Sequence, residues 1–441
     1  MAPHPDIVCK GLPCVLLDAS ADRPGTKSVS NLRTLTPIRL NEVNLNEGEI
    51  RLRTGIGELD RVLGGGLVAG SLSLIGGDPG VGKSTLLLMA LSKFAERGLP
   101  TLYVSGEESA RQIRLRADRL MVNTSELHLL AETDLDACLA AAELLRPRVL
   151  ILDSVQTLYS RGVDSVPGSM TQVREVANRS MNFSKRTGIP TFLVGHVTKQ
   201  GAIAGPKVLE HLVDTVIYFE GDGSSQLRAL RAVKNRFGST GEMGFFEMTE
   251  RGLEEVPDAS ARLLAERVQG ASGTTVLGGM EGSRSVLAEV QALVGSPTPS
   301  TPGRTVLGMD RSRMQMLLAV LAKNGYAMYD RDVFISAAGG LRITEPAADL
   351  AIASAIASSF RDEAIDHRTL MFGEIGLVGE VRAVSHPAQR LLEAKRHGFT
   401  RVLAPRSALQ HAPDGLEVVG VRTLRQALGQ LFIGRPTRES R

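Results

Sequence analysis

The chain has no tryptophan among its 441 residues, and only 4% of it is aromatic. Stacking platforms of aromatic rings are therefore not its main device for holding nucleic acid. Its three cysteines, Cys9, Cys14 and Cys138, are too few for a disulfide scaffold. No stretch reaches the about 18 consecutive apolar residues of a membrane span. The first residues also lack the basic-then-apolar pattern of a secretory signal. Charge of one sign is missing too. With 51 basic and 48 acidic residues the net charge is +3, so any DNA contact has to come from local patches. A cytoplasmic protein with no membrane partner is the expectation.

What is present starts with Gly77-Asp78-Pro79-Gly80-Val81-Gly82-Lys83-Ser84-Thr85, which matches G-x-x-x-x-G-K-[ST]. The alternating run Ser71 to Ile75 before it reads as a strand, and the apolar run Leu86 to Phe94 after it reads as a helix. Strand, glycine loop and helix make a P-loop. The glycines let successive N–H groups turn inward on a polyphosphate, and the helix N-terminus adds its positive dipole end. Lys83 is expected on the β and γ phosphates of ATP and Ser84 on Mg²⁺.

The chain has room for two or three domains. Residues 1–50 hold five prolines and no sustained periodicity and read as a leader. Cys9 and Cys14 there have the spacing of half a zinc site, but a structural site wants four ligands; incidental thiols are the other reading. Thr54 to Gly66 reads as a short helix closed by glycines. Strand and helix then alternate: strand Leu99–Ser105, helix Ser109–Leu120, strand Glu126–Ala131, helix Leu135–Leu145, strand Val149–Asp153, helix Thr171–Lys185, strand Pro190–Gly195. That alternation argues a parallel sheet covered on both faces. Val213–Glu220, Leu227–Lys234 and Met243–Met248 have no helix between them and are assigned to an antiparallel edge. The first domain is set at 51–265 and a second at 270–441. The second holds strands Thr274–Gly278 and Val286–Val294, and a Pro-rich run Ser296–Gly303 that is a linker or a long surface loop. A helix Arg311–Lys323, a strand Asp332–Ala338, a helix Ala347–Ser359 and a βαβ-like stretch through Ala404 follow.

The Val149–Asp153 run delivers a carboxylate at the end of a buried strand, where Asp153 can hold Mg²⁺. Hydrolysis also needs a group that orients and deprotonates water. Glu107, in Ser105-Gly106-Glu107-Glu108-Ser109, is assigned that role; Glu108 is a helix-terminal charge or a second base. His196 ends another strand, where it could sense the γ-phosphate.

Residues 54–250 resemble the RecA-type ATPase core, and 54–435 resemble the bacterial RadA (Sms) family of recombination and repair ATPases. The residues that carry the resemblance are Gly76 through Thr85, Tyr103-Val104-Ser105-Gly106-Glu107-Glu108, Lys234-Asn235-Arg236-Phe237-Gly238 and Glu345-Pro346-Ala347-Ala348-Asp349-Leu350. The implied fold class is α/β, a RecA-like P-loop core followed by a Lon-protease-like α+β domain. The implied activity is DNA-dependent ATP hydrolysis by a homo-oligomeric, hexameric ring on single-stranded and branched DNA, alongside RecA. By likeness to such motors, Arg161, Lys199 and Lys207 are DNA-contact candidates, each equally an ordinary solvated charge. Lys234 and Arg236 would reach across a subunit interface to the neighbour's γ-phosphate; a solvated basic turn is the alternative. The family begins with a four-cysteine zinc module, which Cys9 and Cys14 alone cannot make, so zinc is not expected. Either that module has been lost or remodelled, or the start of this sequence is not the native one.

Lon-type proteases pair a serine with a lysine. Aligned by its landmarks, this domain has Ala347 at the serine position and Ala388 near the lysine position, so a scaffold without peptidase activity is expected. A displaced nucleophile at Ser354 or Ser385 has no positioned base. A KaiC-like regulatory ATPase or kinase is the competing reading for the whole chain.

Overall fold

The computed structural model describes residue 39 and residues 51–196, 209–221, 227–297, 302–340 and 342–432. The expected leader, with Cys9 and Cys14, and the loop holding Lys199 and Lys207 lie outside the described residues, Arg39 excepted. From residue 51 on, the described chain belongs to one compact unit. No helix in it is long and apolar enough to cross a membrane.

The first part runs α1 (Gly57–Val62), β1 (Leu72–Gly77), α2 (Lys83–Ala95), β2 (Thr101–Ser105), α3 (Ala110–Arg119), β3 (Leu127–Ala131), α4 (Leu135–Leu145), β4 (Val149–Asp153), α5 (Met170–Thr187), β5 (Thr191–His196), β6 (Thr215–Glu220), β7 (Leu227–Asn235), β8 (Met243–Thr249), β9 (Gly252–Glu255) and α6 (Ala259–Leu264). Its strands form a nine-stranded sheet in the order β3-β2-β4-β5-β1-β6-β7-β8-β9. The first six are mutually parallel and the last three antiparallel. The antiparallel edge therefore begins one strand later than expected: Val213–Glu220 supplies β6, which lies parallel to β1.

Side-chain alternation with period two sends these strands' residues to two cores. Ile75, Tyr103 and Ile151 join α2 and α3 in one core. Leu74, Val104 and Leu152 join α4 and α5 in the other. Cys138, fully buried in the second, has its thiol pushed up to about 12 by desolvation, so it is an inert packing residue. The Ser71–Ile75 alternation is not half-burial: all six residues of β1 are buried.

The second part runs β10 (Thr274–Glu281), β11 (Arg284–Pro297), β12 (Arg304–Leu307), α7 (Arg311–Lys323), β13 (Arg331–Ala337), α8 (Asp349–Arg361), β14 (Thr369–Met371), β15 (Glu374–Ile375), β16 (Val381–Arg382), α9 (Pro387–Arg396), β17 (Arg401–Pro405), β18 (Glu417–Val421) and α10 (Leu424–Leu431). Seven of its strands make a mixed sheet, β12-β13-β11-β10-β14-β17-β18. The expected helix at Ala347 is a 3₁₀ turn, Pro346–Ala348, leading into α8.

One strand serves both parts. On β8, Phe246 faces the core around α2, while Met243 and Phe245 face the core of the second sheet. Polar contacts follow the same seam. Arg284 of β11 pairs with Glu58 of α1 at 3.0 Å, and Arg231 of β7 with Glu281 of β10 at 2.8 Å. Glu58 is almost fully buried, and its carboxylate also accepts the backbone N–H of Phe245. Leaving such a carboxylate unpaired would be costly, so the seam is fixed by polar satisfaction as well as by packing. Phe245→Ala is expected to cost about 3–5 kcal/mol and to raise hydrogen exchange first in α6 and β11. Phe246→Ala, of similar cost, should raise it first in α2. Exchange rising first in the same element for both variants would contradict the two-core reading of β8.

Candidate active site

Parallel strands bring their C-terminal ends into one row, and the register decides which residues meet. Gly77 of β1 lies beside His196 of β5, and Ser105 of β2 beside Asp153 of β4. A side chain placed just past any of these ends shares one crevice.

The P-loop follows β1 directly. Gly77, Gly80 and Gly82 have positive φ. At Gly77 a Cβ would lie 2.4 Å from the carbonyl oxygen of Phe219, so no other residue fits. At Gly80 a Cβ would meet nothing within 4 Å, so the loop is open there. α2 starts after Gly82 with no side-chain cap, leaving its first N–H groups available to an anion. Lys83 is buried, and its ammonium donates to the carbonyls of Gly77 (2.8 Å) and Asp78 (3.0 Å). Desolvation lowers its pKa, against the pull of Asp153, Glu107 and Asp78. Asp78, Pro79, Val81 and Thr85 complete the loop and the first turn of the helix.

Asp153 is 5% exposed at the end of β4. Its Oδ2 accepts from the Ser84 hydroxyl at 2.7 Å and from the Tyr103 hydroxyl. Two oxygen donors side by side at the head of α2 are the hard set that Mg²⁺ takes. The residues thus fit Mg²⁺–ATP: Ser84 and Asp153 would hold the ion and the P-loop the phosphates. When bound, the ion neutralises charge on the phosphate oxygens.

Glu107 lies across this crevice. Its Oε1 is 3.0 Å from His196 Nε2 and accepts the Ser154 hydroxyl at 2.5 Å. Bonding to His196, then to Ser154, holds its pKa below the usual carboxylate value despite partial burial. His196 Nδ1 in turn lies 3.3 Å from Lys83 Nζ, so one imidazole bridges the phosphate-binding lysine and the candidate base. Glu107, Asp153 and His196 offer oxygen or nitrogen atoms all within 4.8 Å of one another. Glu108 points elsewhere and pairs with Arg116 of α3 at 2.7 Å. Of the two glutamates, only Glu107 joins the cluster.

The structure therefore gathers Lys83, Ser84, Glu107, Asp153 and His196. It does not gather Lys234 and Arg236, and they are not on the far edge of the sheet: β7 lies inside β8 and β9. They lie beside the first residues of β6, at the opposite end of the strands from the P-loop. Lys234 donates to the carbonyls of Glu210 and Val213, and Arg236 pairs with Asp214 at 3.3 Å. Arg161 pairs with Asp134 at 2.5 Å while remaining largely exposed. Sequence reasoning missed Tyr103 and Ser154 as partners of the carboxylates. A tyrosine inside an apolar strand was the available signal, since a buried hydroxyl requires a partner.

In the second part, Ala347 is buried in the 3₁₀ turn and Ala388 lies in the first turn of α9. Between their segments runs an ion pair: Arg390, 1% exposed, grips Glu345 at 2.7 and 3.1 Å. The Ser354 hydroxyl is buried with no hydrogen-bond partner among the described residues, so no base faces it.

The family model described as AAA domain matches residues 41–202, and that described as subunit ChlI of Mg-chelatase matches residues 299–408. The DNA repair protein RadA of Pseudomonas aeruginosa is 48% identical over 405 residues, covering 91% of this chain and 88% of its own. That of Bacillus subtilis is 47% identical, covering 93% and 90%. That of Halalkalibacterium halodurans is 50% identical, covering 88% and 86%. Similar solved structures include a KaiC-like protein of Pyrococcus horikoshii, at 20% identity and a TM-score of 0.39, covering 47% of this chain and 99% of its own. The RadB recombinase, at 22% and 0.38, covers 46% and 99%.

If Glu107 takes the proton of the attacking water, Glu107→Gln should bind ATP normally and turn over about 10²–10⁴-fold more slowly. His196→Ala removes the strongest support of the ionised carboxylate, so the Glu107 pKa should rise. The acidic limb of kcat/KM should then move to higher pH, toward the ordinary carboxylate value of 4.5. A limb that stays in place in His196→Ala would show that Glu107 is not the titrating base.

Proposed function

Because the chain belongs to the RadA family of DNA repair proteins and is an ATPase of recombination and repair, we propose that it is a motor. It converts ATP hydrolysis into movement on single-stranded DNA and extends branched recombination intermediates alongside RecA. The observation that carries this reading is the His196–Glu107 contact. His196 is the last residue of β5, directly before the segment that holds Lys199 and Lys207. DNA phosphates held by those lysines would move His196 and so reposition the base, coupling strand engagement to turnover.

In the proposed cycle Lys83 and the P-loop N–H groups hold the phosphates, and Glu107 draws a proton from water aligned on the γ-phosphate. The second part serves as a ring scaffold: Ala347 and Ala388 bring neither a nucleophile nor a base, and the Arg390–Glu345 pair ties their segments together.

The test is ATPase rate with and without single-stranded DNA. We expect stimulation that disappears when Lys199 and Lys207 are both changed to alanine, with the DNA-independent rate kept. A rate indifferent to DNA, with phosphorylated protein accumulating, would favour a KaiC-like regulatory kinase instead.

The ring reading has its own test. Lys234 and Arg236 lie at the wrong end of the sheet for their own nucleotide, which leaves Arg236 free to serve a neighbour's γ-phosphate. Arg236→Ala should bind ATP and lose most hydrolysis, since cations supplied in trans are worth about 10³–10⁵ in rate. Lys83→Ala should be equally inactive. Mixed rings should recover turnover wherever an intact P-loop faces an intact Arg236. Arg236→Ala hydrolysing at the parental rate, or verified mixed rings staying inactive, rules out the trans role.

A further inference from the structure

A second cluster of metal-ligating side chains lies away from the P-loop, where the first part of the chain hands over to the second. Asp258 precedes α6, in the segment that leaves the nine-stranded sheet. Glu393 and His397 lie one turn apart on and just after α9, so they share a face. His397 Nε2 is 3.1 Å from Glu393 Oε1 and 3.4 Å from Asp258 Oδ1. The three donor atoms all lie within 4.8 Å of one another. Ligands about 2.0–2.2 Å from one ion, at tetrahedral or octahedral angles, are separated by about 2.9–3.5 Å. Both contacts of His397 fall in that range.

The surroundings orient the donors. Ser260 Oγ donates to Glu393 Oε1 at 2.8 Å and accepts the N–H of Leu287 at 3.1 Å. Asp258 Oδ1 accepts the N–H of Ala261 at 2.9 Å. Arg396 faces the outer oxygens of both carboxylates, at 3.2 Å from Asp258 and 3.7 Å from Glu393. It removes one of two negative charges and leaves the inner oxygens toward the imidazole. Outer partners that fix ligand orientation are a general feature of metal sites. His397 and Glu393 lie largely within the joint, 11% and 15% exposed, whereas Asp258 is 36% exposed.

We propose that Asp258, Glu393 and His397 bind a first-row divalent metal ion of the zinc or manganese kind, which ties α6 to α9. One imidazole with two carboxylates suits such an ion better than Mg²⁺ or Ca²⁺, which favour oxygen alone. The site joins the strand segment leaving the ATPase sheet to a helix of the second sheet, and water completes the coordination. It is independent of the nucleotide site and of the motor reading.

The test is Zn²⁺ binding by chelator-treated full-length protein, measured by competition with a chromophoric chelator. Parent, His397→Ala and Glu393→Gln are compared. Cys9, Cys14, Glu107, Asp153 and His196 are present in all three, so the difference between them isolates the joint. The parent should bind one equivalent more than His397→Ala. In Glu393→Gln, which keeps the size and the oxygen that accepts from Ser260, that equivalent should bind at least about 10-fold more weakly. Zn²⁺ should also raise the thermal midpoint of the parent more than that of either variant. If His397→Ala fails to fold, Glu393→Gln alone decides. Equal equivalents and affinities in folded parent and variants overturn the proposal and leave a hydrogen-bonded joint.

Discussion

A single buried carboxylate, Asp153, sets the terms for the rest of the molecule. It sits, 5% exposed, at the end of a buried strand, where bulk water does little to satisfy it. The Ser84 and Tyr103 hydroxyls do so instead, which ties β4 to the first turn of α2 and to β2. That tie places the P-loop hydroxyl against the carboxylate, the pairing that a metal–nucleotide complex needs. Tyr103 is itself fully buried, and beside Asp153 the loss of its proton is disfavoured, so the tyrosine stays a donor. The site is thus ordered at the strand ends.

The second consequence is that two basic residues are kept at the opposite end of the sheet from the P-loop crevice. Lys83, Glu107 and His196 lie at the C-terminal ends of the parallel strands, whereas Lys234 and Arg236, at the end of β7, lie beside the start of β6. Lys234 is committed to two carbonyls, and desolvation with the neighbouring Arg236 lowers its pKa. Arg236 keeps half of its side chain exposed beside Asp214, so of the two it is the one with freedom to leave. The length of a strand separates the two groups.

The seam between the two parts starts from alternation. Along β8, Phe245 and Phe246 are adjacent in sequence yet belong to different cores, because successive side chains of a strand point to opposite faces. Gly244 between Met243 and Phe245 is required by close approach: a Cβ there would lie 2.6 Å from the carbonyl oxygen of Glu58. Glu58, Arg284 and the N–H of Phe245 then close the same seam with polar contacts. The two sheets are therefore joined through packed side chains as well as polar contacts. Within the second part, the buried Arg390 pairs with Glu345 and ties α9 to the turn before α8.

Residues whose role is set by local backbone geometry were legible in the sequence. The P-loop needs glycines at fixed spacing to turn N–H groups inward, and helix α7 and strand β4 were readable to the residue because one apolar period runs unbroken through each. Lys83, Ser84 and Asp153 followed from those patterns. What the sequence could not carry was register. Glu107, Ser154 and His196 meet across separations of 47 and 89 residues, and only the pairing of β2 with β4 and of β4 with β5 brings their ends level. Glu107 was preferred from the sequence, but the partner of Glu108, Arg116 in the last turn of α3, was not legible there. The direction of β6, the two cores served by β8 and the place of Arg236 likewise depended on long-range strand order. A period of two tells which residues share a face; the neighbour that covers that face is selected by the whole sheet.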